Sequence, residues 1–297
     1  MLYNNLSGYL KLKYGGKIGK ICIDGGFSCP NRDGKCSVGG CIFCGERGAG
    51  EHIDHTLSIR EQVEKGLAIG KKDGYIAYFQ NFTNTYAPLC ELKKRYDAAL
   101  ISDRIKILAI GTRPDCITEK IADLIASYKS RLDVWVELGL QSASDSTAEF
   151  INRGYKTEKY FEAARLLRER GIPFVTHMII GLPEETEEDI DKTVDAVNSS
   201  GSFGVKIHSL YVSEGTKLAD IYRAGGFSPI SAEEYAHLVA RALARLSPDI
   251  IVHRLTGDCP RGMLVAPSWV SDKNKVLSSV NSVLKLQGLK QGSLYKL

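Results

Sequence analysis

The 297-residue sequence lacks any apolar run long enough to span a membrane. Its first residues, MLYNNLSGYLKLKYGG, also lack the basic-then-apolar order of a secretory signal peptide. Low-complexity sequence is missing too, because 43% of the residues are hydrophobic and 25% are charged, as in ordinary globular domains. These absences argue against membrane, secreted and disordered classes. They predict a cytoplasmic protein with room for one large α/β domain.

A cytoplasmic location removes the usual reason for disulfides, yet the chain has eight cysteines. In a reducing compartment, a group of neighbouring cysteines indicates a metal site. Four cysteines lie in the segment CPNRDGKCSVGGCIFC, directly after the strand-like segment KICIDGG: Cys29, Cys36, Cys41 and Cys44. The others are scattered and are interpreted as packing residues: Cys22, Cys90, Cys116 and Cys259.

Two kinds of metal site suit this cysteine segment. Cys29, Cys41 and Cys44 can hold a [4Fe–4S] cluster by three irons and leave the fourth iron open to a substrate. With Cys36 included, four thiolates can instead close a tetrahedral structural zinc site. The spacing leaves both possibilities open, because the C-x2-C pair suits either metal.

Apolar, β-rich runs alternate with amphipathic stretches at intervals of roughly thirty residues, the rhythm of βα units with parallel strands. The predicted strands are 20–24, 75–80, 105–111, 134–140, 173–180 and 205–212. The predicted helices lie near 58–70, 89–101, 117–129, 157–170, 187–199 and 231–246. Six successive units predict an α/β fold, a partial (β/α)6 TIM-like barrel, with its chemistry at the carboxyl ends of the strands. We expect a core domain over 1–250, including the basic N-terminal segment, and a short C-terminal extension over 251–297 packed on it.

The fourth predicted strand, DVWVELGLQ, has two distinct faces. Residues 134, 136, 138 and 140 are apolar and share one face, whereas Glu137, Gly139 and Gln141 share the other. The second face is expected to point into the barrel lumen. A buried carboxylate and amide need partners there, supplied either by a structural hydrogen-bond network or by a polar ligand.

Other polar residues gather on or after consecutive strands. Arg113 lies in GTRPD after the third strand, and Arg153 lies in INRG after the fourth. His177 is on the fifth strand, and Lys206 and His208 share one face of the sixth. One such residue alone is usually structural, but together they are typical of a catalytic rim.

The cysteine segment, GTRPD, ELGLQS, INRG and HMIIGLPEET together resemble the radical S-adenosylmethionine (SAM) superfamily. The similarity is to bacterial proteins that are like the elongator catalytic subunit but lack its acetyltransferase domain, and it covers about residues 10–260. It implies a partial barrel of the radical SAM type, a [4Fe–4S] cluster and SAM as cofactors, and reductive cleavage of SAM to methionine and a 5′-deoxyadenosyl radical. In this branch the ligands correspond to Cys29, Cys41 and Cys44, and position 36 need not be cysteine.

The same resemblance implies roles for individual residues. Phe43 would contact the adenine, and Arg153 would pair with the methionine carboxylate through its planar guanidinium. QNFTN stands where a glycine-rich motif is expected after the second strand. The predicted cofactor-binding residues are Phe43, Asn81, Thr83, Arg113, Glu137, Gln141, Ser142 and Arg153. The predicted catalytic residues are His177, Lys206 and His208.

For the substrate, the resemblance implies chemistry on the 5-substituent of the tRNA wobble uridine, such as conversion of carboxymethylaminomethyl to aminomethyl. The basic ends of the chain agree with a polyanionic partner, since residues 1–20 carry four lysines and no acid, and residues 270–297 carry five lysines against Asp272. We expect an electron donor such as flavodoxin or ferredoxin and no membrane partner. The alternatives are a radical SAM enzyme acting on a small molecule and, more remotely, a zinc-dependent RNA-binding protein without catalysis.

Overall fold

The computed structural model describes residues 2–48, 50, 53–260 and 262–296. Seven parallel strands form one curled sheet, and their order across the sheet follows the chain. They are β1 (Ile18–Ile23), β2 (Gly74–Phe79), β3 (Ile105–Thr112), β4 (Asp133–Gln141), β5 (Phe174–Ile180), β6 (Gly204–Ser209) and β8 (Ile251–Arg254). This unbroken parallel order is that of a partial (β/α) barrel, which confirms the predicted fold class.

Helices connect the strands and cover the outside of the sheet. They are α1 (Leu6–Tyr14), α2 (Ile59–Ile69), α3 (Leu89–Ala99), α4 (Glu119–Ser127), α5 (Asp145–Phe150), α6 (Thr157–Glu169), α7 (Glu187–Ser199), α8 (Lys217–Arg223), α9 (Ala232–Arg245) and α10 (Lys273–Leu286). None of the helices within the described residues is long and apolar enough to cross a membrane.

The sheet extends one strand beyond the prediction. β8 pairs in parallel with β6 and begins directly after residue 250, where the predicted core domain ends. This strand has only four residues and includes His253 and Arg254, so it lacks the apolar run that marks the other strands. The predicted sixth strand is also shorter than expected, because Val212–Ser213 (β7) pairs instead with Leu264–Ala266 (β9) in a separate antiparallel ribbon.

Alternate residues of β4 belong to two different layers of the hydrophobic core, as the predicted two-residue period requires. Val136, Leu138 and Leu140 are fully buried in the outer layer, against the surrounding helices. Trp135 belongs instead to a smaller cluster that fills the inside of the curved sheet with Ile76 and other residues. The two-residue period of the strand therefore separates the helix-facing side from the lumen.

Helix α1 closes the amino end of this lumen, a feature absent from the sequence prediction. Leu10 is buried in the inner cluster, and the Tyr14 hydroxyl donates a hydrogen bond to Asp133 at the start of β4. The Lys13 ammonium also pairs with Asp133 at 2.7 Å. The backbone N–H of Lys17 donates to Asp73, just before β2. These contacts place much of the basic N-terminal segment at the amino ends of the strands, opposite the cysteine loop.

Leu10→Ala should destabilise the fold by about 2–5 kcal/mol, because it removes buried methyl groups and leaves a cavity beneath the lumen. Leu12→Ala is the matched control, since Leu10 is 5% exposed and Leu12 is 89% exposed on the same helix. Urea unfolding of both variants measures the difference. Equal stability of the two would show that α1 does not seal the sheet.

Candidate functional site

The cysteine loop follows β1 at the carboxyl edge of the sheet. The thiols of Cys41 and Cys44 are hydrogen-bonded to each other, which lowers the pKa of Cys44 to about 7, with help from the neighbouring Arg32 guanidinium. The same contact, together with burial, raises the pKa of Cys41 well above its ordinary value. Cys29 is close enough to Cys41 to interact with it electrostatically. The three predicted cluster ligands thus lie in one neighbourhood.

The INRG segment after α5 holds this loop in place. Asn152 donates from its side-chain amide to the carbonyl of Gly40 at 2.7 Å, and the Asn31 amide donates to the carbonyl of Asn152 at 2.6 Å. Gly154 has a φ of +79°, and a Cβ atom there would lie 2.5 Å from the Asn31 side chain. Glycine is therefore required at this position both for its backbone conformation and for the close approach of Asn31.

Cys36 stands apart from the other three cysteines of the loop. It is exposed, and its thiol contacts Asp115 at 3.8 Å. In the described part of the chain, no three cysteine, histidine or carboxylate side chains converge closely enough to bind one metal ion. That arrangement does not favour a four-thiolate zinc site, whereas the thiolates of a [4Fe–4S] cluster bind different irons and need not converge on one point.

Buried polar atoms without partners lie beside the cysteine loop. Within the described residues, four buried side-chain oxygens have no hydrogen-bond partner: those of Asn31, Asn81, Thr83 and Asn84. Buried groups of this kind ordinarily find a partner. Their position next to three thiols fits a site built for a cluster and a polar cofactor, and it includes the predicted residues Asn81 and Thr83.

Arg113, after β3, and Arg153, after α5, pack next to each other around Tyr155. The guanidinium of Arg113 forms a bidentate pair with Asp115 at 2.8 and 2.9 Å and donates to the carbonyl of Arg153 at 2.8 Å. Both guanidinium groups lie over the ring of Tyr155, at 4.7 and 4.5 Å from its centroid. Such cation–π stacking orders the two arginines relative to each other.

The arrangement of Arg153 differs from its predicted contact with a methionine carboxylate. Its side chain is 1% exposed. It donates to the carbonyls of Leu140 and Ser142 at 2.5 and 2.6 Å and to that of Tyr155 at 3.0 Å. The remaining nitrogen donates to the Thr157 hydroxyl at 3.1 Å. Every guanidinium nitrogen is therefore used inside the chain, which makes Arg153 a clamp on the segment after β4.

Gln141 and Ser142, at the end of β4, are placed by that clamp. Gln141 has a φ of +61°, a left-handed conformation that is uncommon outside glycine. The Tyr155 hydroxyl donates to its side-chain oxygen at 3.2 Å. Ser142 is fully buried, and its hydroxyl donates to Glu185 after β5. Burial raises the pKa of Glu185 to about 7. Sequence analysis missed Glu185 because it lies in an acidic run that serves mainly as the start of α7.

Phe43, the predicted adenine contact, is half-buried. It packs against a small apolar cluster that includes Ile179, Leu182 and Leu210, at the ends of β5 and β6. An aromatic ring beside such a cluster is a suitable wall for a planar base.

Below the rim, the lumen contains a buried polar network. The Glu137 carboxylate forms an ion pair with Lys206 and accepts from His177 at 2.7 Å. The Lys206 ammonium also donates to the Tyr78 hydroxyl at 3.3 Å. The indole N–H of Trp135 donates to the other oxygen of Glu137 at 3.3 Å. Glu137, predicted to bind cofactor, is thus bonded to two of the predicted catalytic residues and to Trp135.

His208 joins this network through a ring contact. Its centroid lies 5.1 Å from that of His177, and its buried Nε2 has no partner within the described residues. His177 is opposite Lys206 in the parallel register of β5 and β6. The three predicted catalytic residues are therefore brought together, and Tyr78 and Trp135 join them. Trp135 could have been found from sequence, since it is two residues from Glu137 on the same strand face.

Burial controls the charges in this network. It lowers the pKa of His177 and lowers that of His208 well below its ordinary value, so both rings are neutral at pH 7. Burial would raise the pKa of Glu137, but the Lys206 ammonium and the His177 hydrogen bond hold it well below its usual range. Glu137 is therefore ionised.

One prediction for the scattered cysteines is wrong. Cys90 is exposed near the start of α3, so it is not a packing residue. Cys22, Cys116 and Cys259 are partly buried. The amphipathic pattern of the α3 segment did not reveal which side of the helix Cys90 occupies.

Family models match most of this chain. The Radical SAM superfamily model matches residues 33–197, and the Radical_SAM C-terminal domain model matches residues 203–285. The protein belongs to the radical SAM superfamily, whose members use a [4Fe–4S] cluster and SAM. The cysteine spacing alone is compatible with a [4Fe–4S] cluster or a zinc site. Membership of the radical SAM superfamily favours the cluster.

Individual relatives include an uncharacterised protein, YtqA, of Bacillus subtilis, which is 38% identical over 99% of this chain and 93% of its own length. Elongator complex protein 3 of Mus musculus is 31% identical over 52% of this chain and 28% of its own length. Among solved structures, the archaeal Methanocaldococcus infernus Elp3 with an N-terminal deletion has a TM-score of 0.69 at 21% identity. That match covers 92% of this chain and 64% of the solved chain, and it shows a shared fold.

Arg153→Met should lower the free energy of unfolding by about 3 kcal/mol, because three backbone carbonyls lose charged donors in a buried site. Arg165→Met is the control, since the Arg165 side chain is 59% exposed and, among the described residues, pairs only with Glu169 one turn away. Urea unfolding measures both effects. A stable Arg153→Met protein that binds SAM weakly would instead restore Arg153 as a partner of the methionine carboxylate.

Proposed function

We propose that this protein is a radical SAM enzyme that acts on a substrate held in the barrel lumen, below the cofactor rim. The observation that carries this proposal is the network of Glu137, Lys206, His177 and His208, which lies on β4, β5 and β6 inside the curved sheet. A purely structural core does not need four titratable side chains in its interior.

Cys29, Cys41 and Cys44 would hold the cluster, and the rim of Phe43 and Gln141 would hold SAM. When bound, the cluster supplies the electron that cleaves SAM to methionine and a 5′-deoxyadenosyl radical. The chain's own contribution is to orient the cofactor and keep water away. Arg153 supports this by fixing the segment that carries Gln141 and Ser142. Reduction of the cluster requires a low-potential donor such as flavodoxin or ferredoxin, consistent with a cytoplasmic location.

After anaerobic reconstitution, the protein should bind four irons per chain. Changing Cys29, Cys41 or Cys44 to Ala should abolish the charge-transfer absorbance, whereas Cys36→Ala should retain it because that thiol faces Asp115. Iron analysis and the absorption spectrum measure the result. Loss of the cluster in Cys36→Ala alone, with full loading in Cys29→Ala, would overturn the assignment.

For the substrate, we propose the 5-substituent of the tRNA wobble uridine, in a conversion of the carboxymethylaminomethyl to aminomethyl type. Support comes from the similarity to Elongator complex protein 3 over about half of the chain and from the resemblance of the motifs to that branch. A nucleotide must be turned out of the RNA to reach a buried lumen, and an open half-barrel leaves room for it.

A small-molecule substrate is the second candidate, and the placement of the N-terminal lysines favours it. Lys13 is paired with Asp133 at the amino end of the sheet. Lys20 is exposed on β1, and its ammonium lies over the ring of Tyr78. These lysines therefore do not form one surface beside the cofactor rim. A tRNA would have to be bound by other basic residues.

Nucleoside analysis of tRNA distinguishes the two candidates. Cells lacking the gene should accumulate the carboxymethylaminomethyl nucleoside and lose the aminomethyl one, and the intact gene should restore the pattern. A gene that encodes the Cys41→Ala variant is the control. Its product should be expressed but should not restore the nucleoside pattern. An unchanged nucleoside profile, with SAM cleavage intact in the purified protein, would reject tRNA and leave the small-molecule function.

A further inference from the structure

The segments that enter the first four strands carry an unbalanced positive charge. They are residues 13–17, 71–73, 103–106 and 129–133. Together they contain eight lysines and arginines against three aspartates, an excess of five positive charges. The four residues before each of β5, β6 and β8 contain one cation and one carboxylate in all, Arg170 and Asp249. The excess therefore lies at the amino ends of β1 to β4.

Neighbouring carboxylates do not cancel this charge. Lys13 pairs with Asp133, and Arg131 pairs with Asp97 of α3 at 3.2 Å. Asp97 brings no net negative charge, because it also pairs with Lys93 of the same helix. Within the described residues, the other six cations of these segments form no ion pair: Lys17, Lys71, Lys72, Arg104, Lys106 and Lys129.

Contacts between the four segments join them into one surface. The backbone N–H of Lys17 donates to the Asp73 carboxylate at 2.6 Å, and the N–H of Asp73 donates to the Lys17 carbonyl at 2.9 Å. The Arg104 guanidinium donates to the carbonyl of Lys72 at 3.0 Å. The ion pair of Lys13 with Asp133 connects the first segment to the fourth. We call this surface the basic amino face.

An open groove of about 810 Å³ lies in the basic amino face, between the segments that enter β3 and β4. Its charged lining residues are Asp103, Lys106, Lys129, Arg131 and Asp133. Asp133 is already occupied by Lys13 and by the Tyr14 hydroxyl, and Lys129 donates only to a backbone carbonyl, that of Arg170. The groove therefore presents cations that a row of anionic groups can approach.

We propose that the basic amino face binds the phosphate backbone of tRNA outside the anticodon loop. This inference rests on the proposed function, which names tRNA as the RNA. A phosphate backbone carries repeated single charges, and lysines that neutralise them supply affinity without reading sequence. A groove favours RNA over an anionic membrane, because a backbone can enter a concave surface whereas lipid headgroups form a flat layer.

The position of the groove defines its role. It lies at the start of β4, a strand of nine residues, so it is about 30 Å from the carboxyl rim. At that distance it cannot present the reacting nucleotide to the cofactor. It would instead anchor the body of the RNA, which is recognised through its backbone and shape, while the anticodon loop reaches the rim.

Binding of tRNA to the cluster-loaded protein over a range of salt concentrations tests the surface. The triple change Lys72→Ser, Lys106→Ser and Lys129→Ser should weaken binding about tenfold or more at roughly 0.1 M salt. It should also flatten the log–log salt dependence by about 2–3 units, because three phosphate contacts are lost. Arginine at the same three positions keeps the charge and should retain both the affinity and the slope.

A matched control removes the same charge elsewhere. Lys275, Lys285 and Lys290 are exposed on or just after α10, which packs against α9, and they form no ion pair within the described residues. Changing these three to Ser should leave the affinity and the salt slope close to those of the parent. Equal weakening by the two triple variants would show that only net charge matters and would overturn the inference.

Lysine acetylation of the parent protein gives a test that needs no variant. Bound tRNA should protect Lys72, Lys106 and Lys129 from brief treatment with acetic anhydride, and it should not protect Lys275 or Lys285. Mass spectrometry measures the modified fraction at each lysine. The same modification of all five lysines with and without saturating tRNA would overturn the inference.

Three further ligands identify the partner. An isolated anticodon stem-loop should bind the parent and the Lys→Ser triple variant equally, whereas equal losses for the stem-loop and for whole tRNA would overturn the remote anchor. Vesicles of phosphatidylserine and phosphatidylcholine should not bind, and vesicle binding without tRNA binding would replace RNA by a membrane. Inorganic phosphate at matched ionic strength should displace tRNA no better than chloride, and stronger displacement would indicate a site for free phosphate instead.

The failure of this inference is distinguishable from failure of the tRNA function. Binding is measured without turnover, whereas nucleoside analysis reports the modification in cells. A changed nucleoside profile with unaltered tRNA binding by the Lys→Ser triple variant would reject the basic amino face and keep the tRNA substrate.

Discussion

The ion pair between Glu137 and Lys206 ties β4 to β6 across the interior of a sheet that does not close on itself. A buried charge is costly unless it is paired and hydrogen-bonded. Trp135, His177 and Tyr78 form further hydrogen bonds with the pair. The curvature of the half-barrel and the position of its polar interior therefore depend on one another, since opening the sheet would leave these groups without partners.

At the carboxyl rim, side chains that donate hydrogen bonds hold backbone carbonyls in place. Arg153 binds carbonyls on both sides of the β4 turn, and Asn152 binds the carbonyl of Gly40 in the cysteine loop. The INRG segment thus connects the loop that would hold the cluster with the segment that would hold SAM. A change in this segment would disturb both cofactors even though its side chains need not touch either one.

The lumen network and the cysteine loop differ in their exposure to solvent. The lumen network is closed below by α1 and protected from water, which strengthens its electrostatic interactions. The cysteine loop lies at the rim with Cys36 exposed, where an electron donor could approach. A cysteine loop at the rim and a polar network inside the barrel would suit radical chemistry, because a reactive intermediate would be shielded while a cluster at the rim stayed accessible for reduction.

The sequence by itself determined the six predicted strands, the class of fold and the cysteine neighbourhood, because strand alternation and motif spacing are local properties. It also identified His177, Lys206 and His208 as one group, since consecutive parallel strands place their ends together. Only the tertiary structure decided the partners of Arg153 and Glu137. Arg153 reaches back to the carbonyls of Leu140 and Ser142, and Glu137 reaches His177 and Lys206 on β5 and β6. Neither periodicity nor spacing specifies which donor meets which acceptor. The strand β8 and the sealing role of α1 were likewise decided by packing, because a short polar strand and a lysine-rich helix acquire their positions only from the sheet they complete.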